Sequence, residues 1–232
     1  MYYLTGGTNY YEDEQFRFLF TANANRKLNM GIILDYLFAR GEYQNIASKR
    51  FGGQLFGTYN GRNYNAVGVL STNNHSNFEN GGIQDTSYIN GTIDYPAQNI
   101  PVNIRGFSNL KLNQLYYNHS YSIGIERPVP VSEDSVRMDY IPVTIFAHTL
   151  KLSDYKKRYY ESTVEKEFYE STYFQGAETN DTAAYRIISN RVSLSMAEEF
   201  NKWLKFGLTA YIENDIERFV YQIDTVVWSH SN

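Results

Sequence analysis

The sequence predicts an all-β fold, an antiparallel transmembrane β-barrel of which this chain supplies about nine or ten strands. Three observations predict it: apolar residues recur with period two, connections alternate between very short and long, and aromatic residues gather where those connections begin. Gln15 to Asn25 carries Phe16, Phe18, Phe20, Ala22 and Ala24 on one parity and Gln15, Arg17, Thr21, Asn23 and Asn25 on the other. After a tight polar turn at Arg26 and Lys27, Leu28, Met30, Ile32, Leu34, Tyr36 and Phe38 alternate with Asn29, Gly31, Asp35 and Ala39. Successive strand side chains point to opposite faces, so each stretch is apolar on one side and polar or small on the other.

The remaining elements follow in order. Met1 to Thr8 reads as the end of a strand and Asn9 to Glu14 as a short loop. After a loop at Glu42–Ser48, Lys49–Asn60 carries Phe51, Leu55 and Tyr59 on one parity, and Asn60–Asn63 is a turn with an Asn-Gly start. Tyr64–Asn73 returns with Tyr64, Ala66, Gly68 and Leu70 on one face, but Val67 and Val69 on the other leave its facing open. Asn74–Asn109 has no periodicity and many Gly, Pro and Asn residues, so a long loop is expected. Leu110–Ile125 resumes as a strand, with Leu115, Tyr117, Tyr121 and Ile123 against Gln114, Asn118, Ser120 and Ser122. Glu126–Asp139, holding Pro128 and Pro130, reads as a medium connection. Tyr140–Asp154 reads as a strand, Tyr155–Ala183 as a second long, charged loop. Tyr185–Glu199 and Trp203–Asn214 flank a turn at Phe200–Lys202, and Arg218–Val227 starts one more strand.

Short turns at one end and long loops at the other are the wiring of an outer-membrane barrel. Aromatics near the turns (Tyr59, Tyr64, Phe200, Trp203) and near the loops (Tyr10, Tyr11, Tyr36, Phe38, Tyr43, Tyr155, Tyr159, Tyr160) suit the two membrane interfaces. The mean hydropathy of −0.49 is no objection, because only alternate residues need to face lipid. Cysteine is absent, which excludes disulfides, thiolate metal sites and cysteine nucleophiles. The net charge is −4 with scattered bases, unlike the concentrated basic face of a nucleic-acid binder. The chain starts without a basic and apolar leader and trails off after Val226, so it reads as the interior of one barrel domain spanning 1–232. Signal peptide, N-terminal portion and closing C-terminal strands are expected outside it.

Several ordered blocks carry a resemblance: Tyr3–Glu12 (YLTGGTNYYE), Arg40–Tyr43 (RGEY), Phe56–Gly61 (FGTYNG), Asn80–Gly82 (NGG), Pro142–Thr144 with His148–Leu150 (PVT, HTL) and Trp203–Leu208 (WLKFGL). In this order they resemble the putative porin family of Bacteroidetes outer membranes, almost end to end. The resemblance implies a porin-like barrel in the bacterial outer membrane and supplies neither a catalytic site nor a defined solute.

No enzyme and no cofactor is expected. The acidic clusters Glu12–Glu14 and Glu161, Glu165, Glu167 and Glu170 read as solvated loop charge. His119 and His148 lie on neighbouring strands, and symmetric pairing would set them opposite each other as a cross-strand pair; two ligands do not make a specific metal site. The expected lumen wall is Arg17, Thr21, Asn23, Asn25, Asn29, Asp35, Gln54, Thr58, Asn118 and Ser120. Neutral amides with few charges suit a weakly selective aqueous path. The expected function is passive diffusion of small hydrophilic solutes. Partners would be those solutes, outer-membrane lipid and lipopolysaccharide, the last met by Lys156, Lys157 and Arg158 at the outer rim. The rival readings are part of a plugged active-uptake receptor barrel, or a secreted carbohydrate-binding β-protein stacking sugars on its tyrosines.

The parity makes one substitution decisive. In the full-length protein, Phe18→Arg should cost about 2–4 kcal/mol if the residue sits near the bilayer midplane. Chemical unfolding from lipid vesicles reads this directly, and a cost near zero would mean the side chain does not meet hydrocarbon.

Overall fold

The computed structural model describes residues 1–6, 12–90, 95–132, 135–169, 178–197, 206–223 and 226–231. Ten strands form one sheet: β1 (Tyr2–Gly6), β2 (Asp13–Asn23), β3 (Leu28–Ala39), β4 (Ser48–Asn60), β5 (Tyr64–Glu79), β6 (Gly106–Ser132), β7 (Ser135–Glu161), β8 (Thr179–Met196), β9 (Gly207–Ile223) and β10 (Val226–Ser231). Each pairs antiparallel with its neighbours in sequence, and among the described residues β1 and β10 do not pair with each other. The expected all-β class and antiparallel order are observed, as an open sheet consistent with part of a barrel. No described helix is long and apolar enough to cross a membrane.

The register divides the side chains cleanly. Phe18 lies opposite Leu34, Phe20 opposite Ile32 and Ala22 opposite Met30. One row then runs across the sheet through Ile32, Leu55, Leu70, Leu115, Leu152 and Ile188. Paired residues share a face, so the alternation of every strand adds up to one continuous apolar surface. Leu70 is 52% exposed, and Phe20, Met30, Leu55, Leu194 and Ile212 are exposed as well. Among the described residues, no second layer encloses this face. The buried apolar residues are Ile100, Val102, Ile104 and Ala197, none of them from that row. The register also settles β5: Tyr64, Ala66, Gly68 and Leu70 belong to the apolar face, and Val67 and Val69 stand beside Asn118 and Tyr116 on the other.

Several boundaries differ from the sequence reading. β5 runs on to Glu79 and β6 starts at Gly106, because Asn74–Glu79 pairs with Gly106–Lys111 although neither stretch alternates apolar with polar. Likewise β7 continues to Glu161 and β8 begins at Thr179, each half supplying the other's backbone partners. Asp13 and Glu14 belong to β2 rather than to a loop. The medium connection at Glu126–Asp139 is part of the β6–β7 hairpin, whose strands extend to Ser132 and from Ser135. Beyond Ser122 the β5–β6 pairing has ended and β8 joins β7 only from Thr144, so the hairpin projects as a two-stranded ribbon. Pro128 and Pro130 share a parity on its free edge, where a missing N–H breaks no ladder bond. A bulge at Ile123/Gly124 bends the ribbon, and a Cβ on Gly124 would meet the Ile141 carbonyl oxygen at 2.2 Å. At the far end, Arg218–Ile223 continues β9 and pairs with β10, so no loop separates Asn214 from Arg218. The expected turn at Phe200–Lys202 lies outside the described residues.

The two long connections, 80–105 and the one following Glu161, leave the same end of the sheet, and the Asn60–Asn63 turn lies at the other. Ile89 and Tyr95 are exposed in the first of them. Chymotrypsin added to intact cells should therefore cut near Tyr88 and spare Tyr59 and Tyr64, as mass spectrometry of the fragments would show. Cleavage at the Tyr59–Tyr64 turn with 80–105 intact would invert the orientation.

Candidate functional site

The face opposite the apolar one carries polar side chains that bond to each other across strands, interspersed with apolar ones such as Leu19, Ile33, Phe56 and Val69. Nine of the ten predicted wall residues lie on it: Arg17, Thr21 and Asn23 on β2, Asn29 and Asp35 on β3, Gln54 and Thr58 on β4, Asn118 and Ser120 on β6. Asn25 does not. It sits in the β2–β3 turn, where its Oδ1 accepts from the backbone N–H of Lys27 (2.8 Å) and Leu28 (3.0 Å), so its work is to close the hairpin.

Several residues of this face are bonded in small groups. Asn29 Nδ2 donates to Thr21 Oγ1 at 3.1 Å and to Asn23 Oδ1 at 2.8 Å. Asn118 Nδ2 donates to Thr149 Oγ1 at 2.7 Å, and Gln114 Nε2 to Ser153 Oγ at 3.2 Å. Asp35 lies between two arginines, accepting from Arg17 Nε at 2.8 Å and from Arg50 at 3.0 Å. Both arginines are about half exposed, so this triad fixes side-chain directions more than it adds stability. Cross-strand pairing also brings Gln114, Thr149, Lys151, Ser153, Ser189 and Arg191 to this face, none of which the sequence reading placed on the wall. The parity of β7 and β8 carried that signal, since Leu150 and Leu152 set the opposite face.

At the loop end the polar face is covered by a small folded structure. Asn45, with a φ of 52°, donates through Nδ2 to the carbonyls of Glu79 (2.7 Å) and Gly106 (3.1 Å), tying the β3–β4 loop to the ends of β5 and β6. Asn80 donates to the Gln44 carbonyl at 2.9 Å, and an Ile83–Val102 bridge closes the 80–105 loop over Ile100, Val102 and Ile104. Gly81, at a φ of +64°, leaves the space into which Ile104 and Phe168 pack, so the two long loops touch. Glu161 is fully buried beneath them, in contrast to the solvated loop charge expected of it. Its Oε2 accepts from Tyr169 at 2.7 Å and from Tyr159 at 3.2 Å, and its Oε1 has no partner among the described residues. Burial, together with these bonds to Tyr159 and Glu161, pushes the Tyr169 phenol well above its ordinary value, so it stays a donor.

His119 and His148 stand directly opposite each other, as symmetric pairing predicted, but on the apolar face. Their Nε2 and Nδ1 are 3.2 Å apart, His148 Nε2 is 3.4 Å from Asn190 Oδ1, and the Tyr64 and Tyr117 hydroxyls bond beside them at 2.8 Å. This cluster satisfies its polar atoms internally, and among the described residues no group of three His, Cys, Asp or Glu side chains assembles to hold a metal.

No curated protein and no solved structure matches the chain. A family model does: the one described as putative porin matches residues 1–231. An unclosed antiparallel sheet with one apolar and one polar face, matched end to end in this way, places the chain in the putative porin family.

Proposed function

We propose that this sheet is an arc of an outer-membrane β-barrel whose polar face lines an aqueous path for passive diffusion of small hydrophilic solutes. Family membership gives a porin-like role, and with it the outer membrane, in general terms. The observation that carries the finer reading is the pairing of two opposite surfaces on one sheet. Leu55, Leu70 and Ile212 lie open on one side, and the other carries amides and hydroxyls bonded across strands, set among fewer apolar side chains such as Leu19 and Val67. Exposed apolar surface on this scale needs an apolar solvent, and a lipid-facing barrel supplies it. A secreted carbohydrate-binding sandwich would instead pack that face against a second sheet. Membrane hydrocarbon also tolerates no open ladder, so the edges of β1 and β10 require further strands in the closed wall.

Among the described residues, the Asp35 carboxylate on this face is held by two arginines. Selection would be by width and by lining charge, to which Lys151 and Arg191 contribute at the level of Thr149 and Ser189.

Reconstituted in a planar bilayer, the full-length protein should conduct ions, and Lys151→Glu should move the reversal potential in a salt gradient toward cations. A protein that inserts but does not conduct would overturn the passive-channel reading. A reversal potential unmoved by the charge change would remove β7 from the lining.

A further inference from the structure

We propose that the outer end of the apolar face, on β6 and β7, is a binding site for the phosphate groups of an acylated glycolipid, the lipid part of lipopolysaccharide. This rests on the reading of that face as lipid-facing. Moving along β6 and β7 toward the loops, the paired residues on this face change from Leu115–Leu152 to Asn113–Asp154, then Lys111–Lys156, then Asn109–Arg158. Lys157 of the same basic run points to the opposite face, beside Leu110. Strand geometry thus splits Lys156–Arg158 and leaves Lys111, Lys156 and Arg158 together.

Like charges directly across a sheet repel, and no described residue relieves this pair. Lys111 and Lys156 are both exposed and have no ion-pair partner among the described residues. The nearest acid in the register, Asp154, is engaged by Arg186 at 3.0 Å. Arg158 is held in place, its Nε donating to Asn180 Oδ1 at 2.7 Å and its guanidinium lying 5.6 Å over the Tyr160 ring, without a carboxylate. Three cations therefore point one way, and no described carboxylate pairs with any of them.

Their height and the surface beneath them identify the occupant. Lys111 and Tyr121 are ten residues apart on β6. At a strand tilt of about 40° that is roughly 25 Å of height, the depth of the apolar band of an outer-membrane barrel. The lysines then stand at the outer interface and Tyr121 at the inner one. Directly below the lysines the face is hollowed to about 760 Å³ between β3 and β8, lined by Leu55, Leu70, Leu115, Leu152 and Ile188, with the Asp154–Arg186 ion pair on the side nearest the lysines. A ligand with anionic groups at the top and hydrocarbon chains beneath fits both parts. Free inorganic phosphate would use only the upper one.

Native mass spectrometry of the detergent-solubilised full-length protein tests the site with bisphosphorylated lipid A, its dephosphorylated form, and inorganic phosphate as competitor. At about 1 kcal/mol per basic side chain near an anionic surface, K111Q/K156Q should weaken lipid A binding roughly thirty-fold. It should leave the weaker dephosphorylated lipid unaffected. Equal lipid A binding by both proteins, equal binding of both lipids, or displacement by inorganic phosphate at matching concentration would each overturn the proposal. A nitroxide at Leu70→Cys separates the underlying assumption. Access to membrane-dissolved oxygen and protection from aqueous nickel support the lipid-facing reading, whatever the lipid A result. The reverse pattern would overturn that reading itself.

Discussion

The structure depends on backbone hydrogen bonding. In the outer-membrane barrel proposed for it, every N–H and C=O must be satisfied within the protein, because each one left open to hydrocarbon costs several kcal/mol. From β2 to β8 the strands meet that demand by pairing in sequence order, with register irregularities confined to the β6–β7 hairpin. Once the ladder is fixed, alternation leaves each side chain only two directions. A slip of one residue anywhere would send Leu55, Leu70 and Leu115 to the polar side and Gln54, Ser71 and Gln114 to the apolar side.

The two faces then solve different problems. On the polar face many side chains satisfy one another, as Asn29 does with Thr21 and Asn23 and as Asp35 does with Arg17 and Arg50, so they are ordered without a packed core behind them. On the apolar face the exceptions are informative. The His119, His148, Asn190, Tyr64 and Tyr117 cluster lies toward the turn end, where internal bonds and aromatic rings suit an interface. At the other end, Lys111 and Lys156 have no such internal partners, and this difference makes one cluster self-contained and the other a site for an anion.

The mouth shows how loops gain order on a barrel rim. Ile100, Val102 and Ile104 give the 80–105 loop a small core of its own, and Asn45 and Asn80 fasten it to its neighbours through backbone carbonyls. Glu161 lies at the junction as a fully buried carboxylate held by two tyrosine hydroxyls. A buried acid with one oxygen unpartnered among the described residues is costly, so the surrounding loops must fit closely enough to hold it there.

Much of this was legible in the sequence because period two is a local property: the parity of Phe16–Phe20 and Leu28–Leu34 identifies both faces of the first hairpin before any pairing is known. Parity likewise sets nine of the ten expected lining residues on one face, and symmetric pairing about the β6–β7 connection sets His119 opposite His148. It failed where alternation is absent. Asn74–Glu79 and Gly106–Asn109 are strand only because each supplies the other's partners, and no local pattern announces that. Asn25 looked like a wall residue by parity, but its side chain was needed to close a turn. The sequence by itself determined strand character, the two faces and the alternating connections, since these follow from side-chain type and spacing. Tertiary structure decided the extent of each strand, the burial of Glu161 beneath two loops and the meeting of Lys111 with Lys156. Each of these requires residues far apart in the chain to occupy one register.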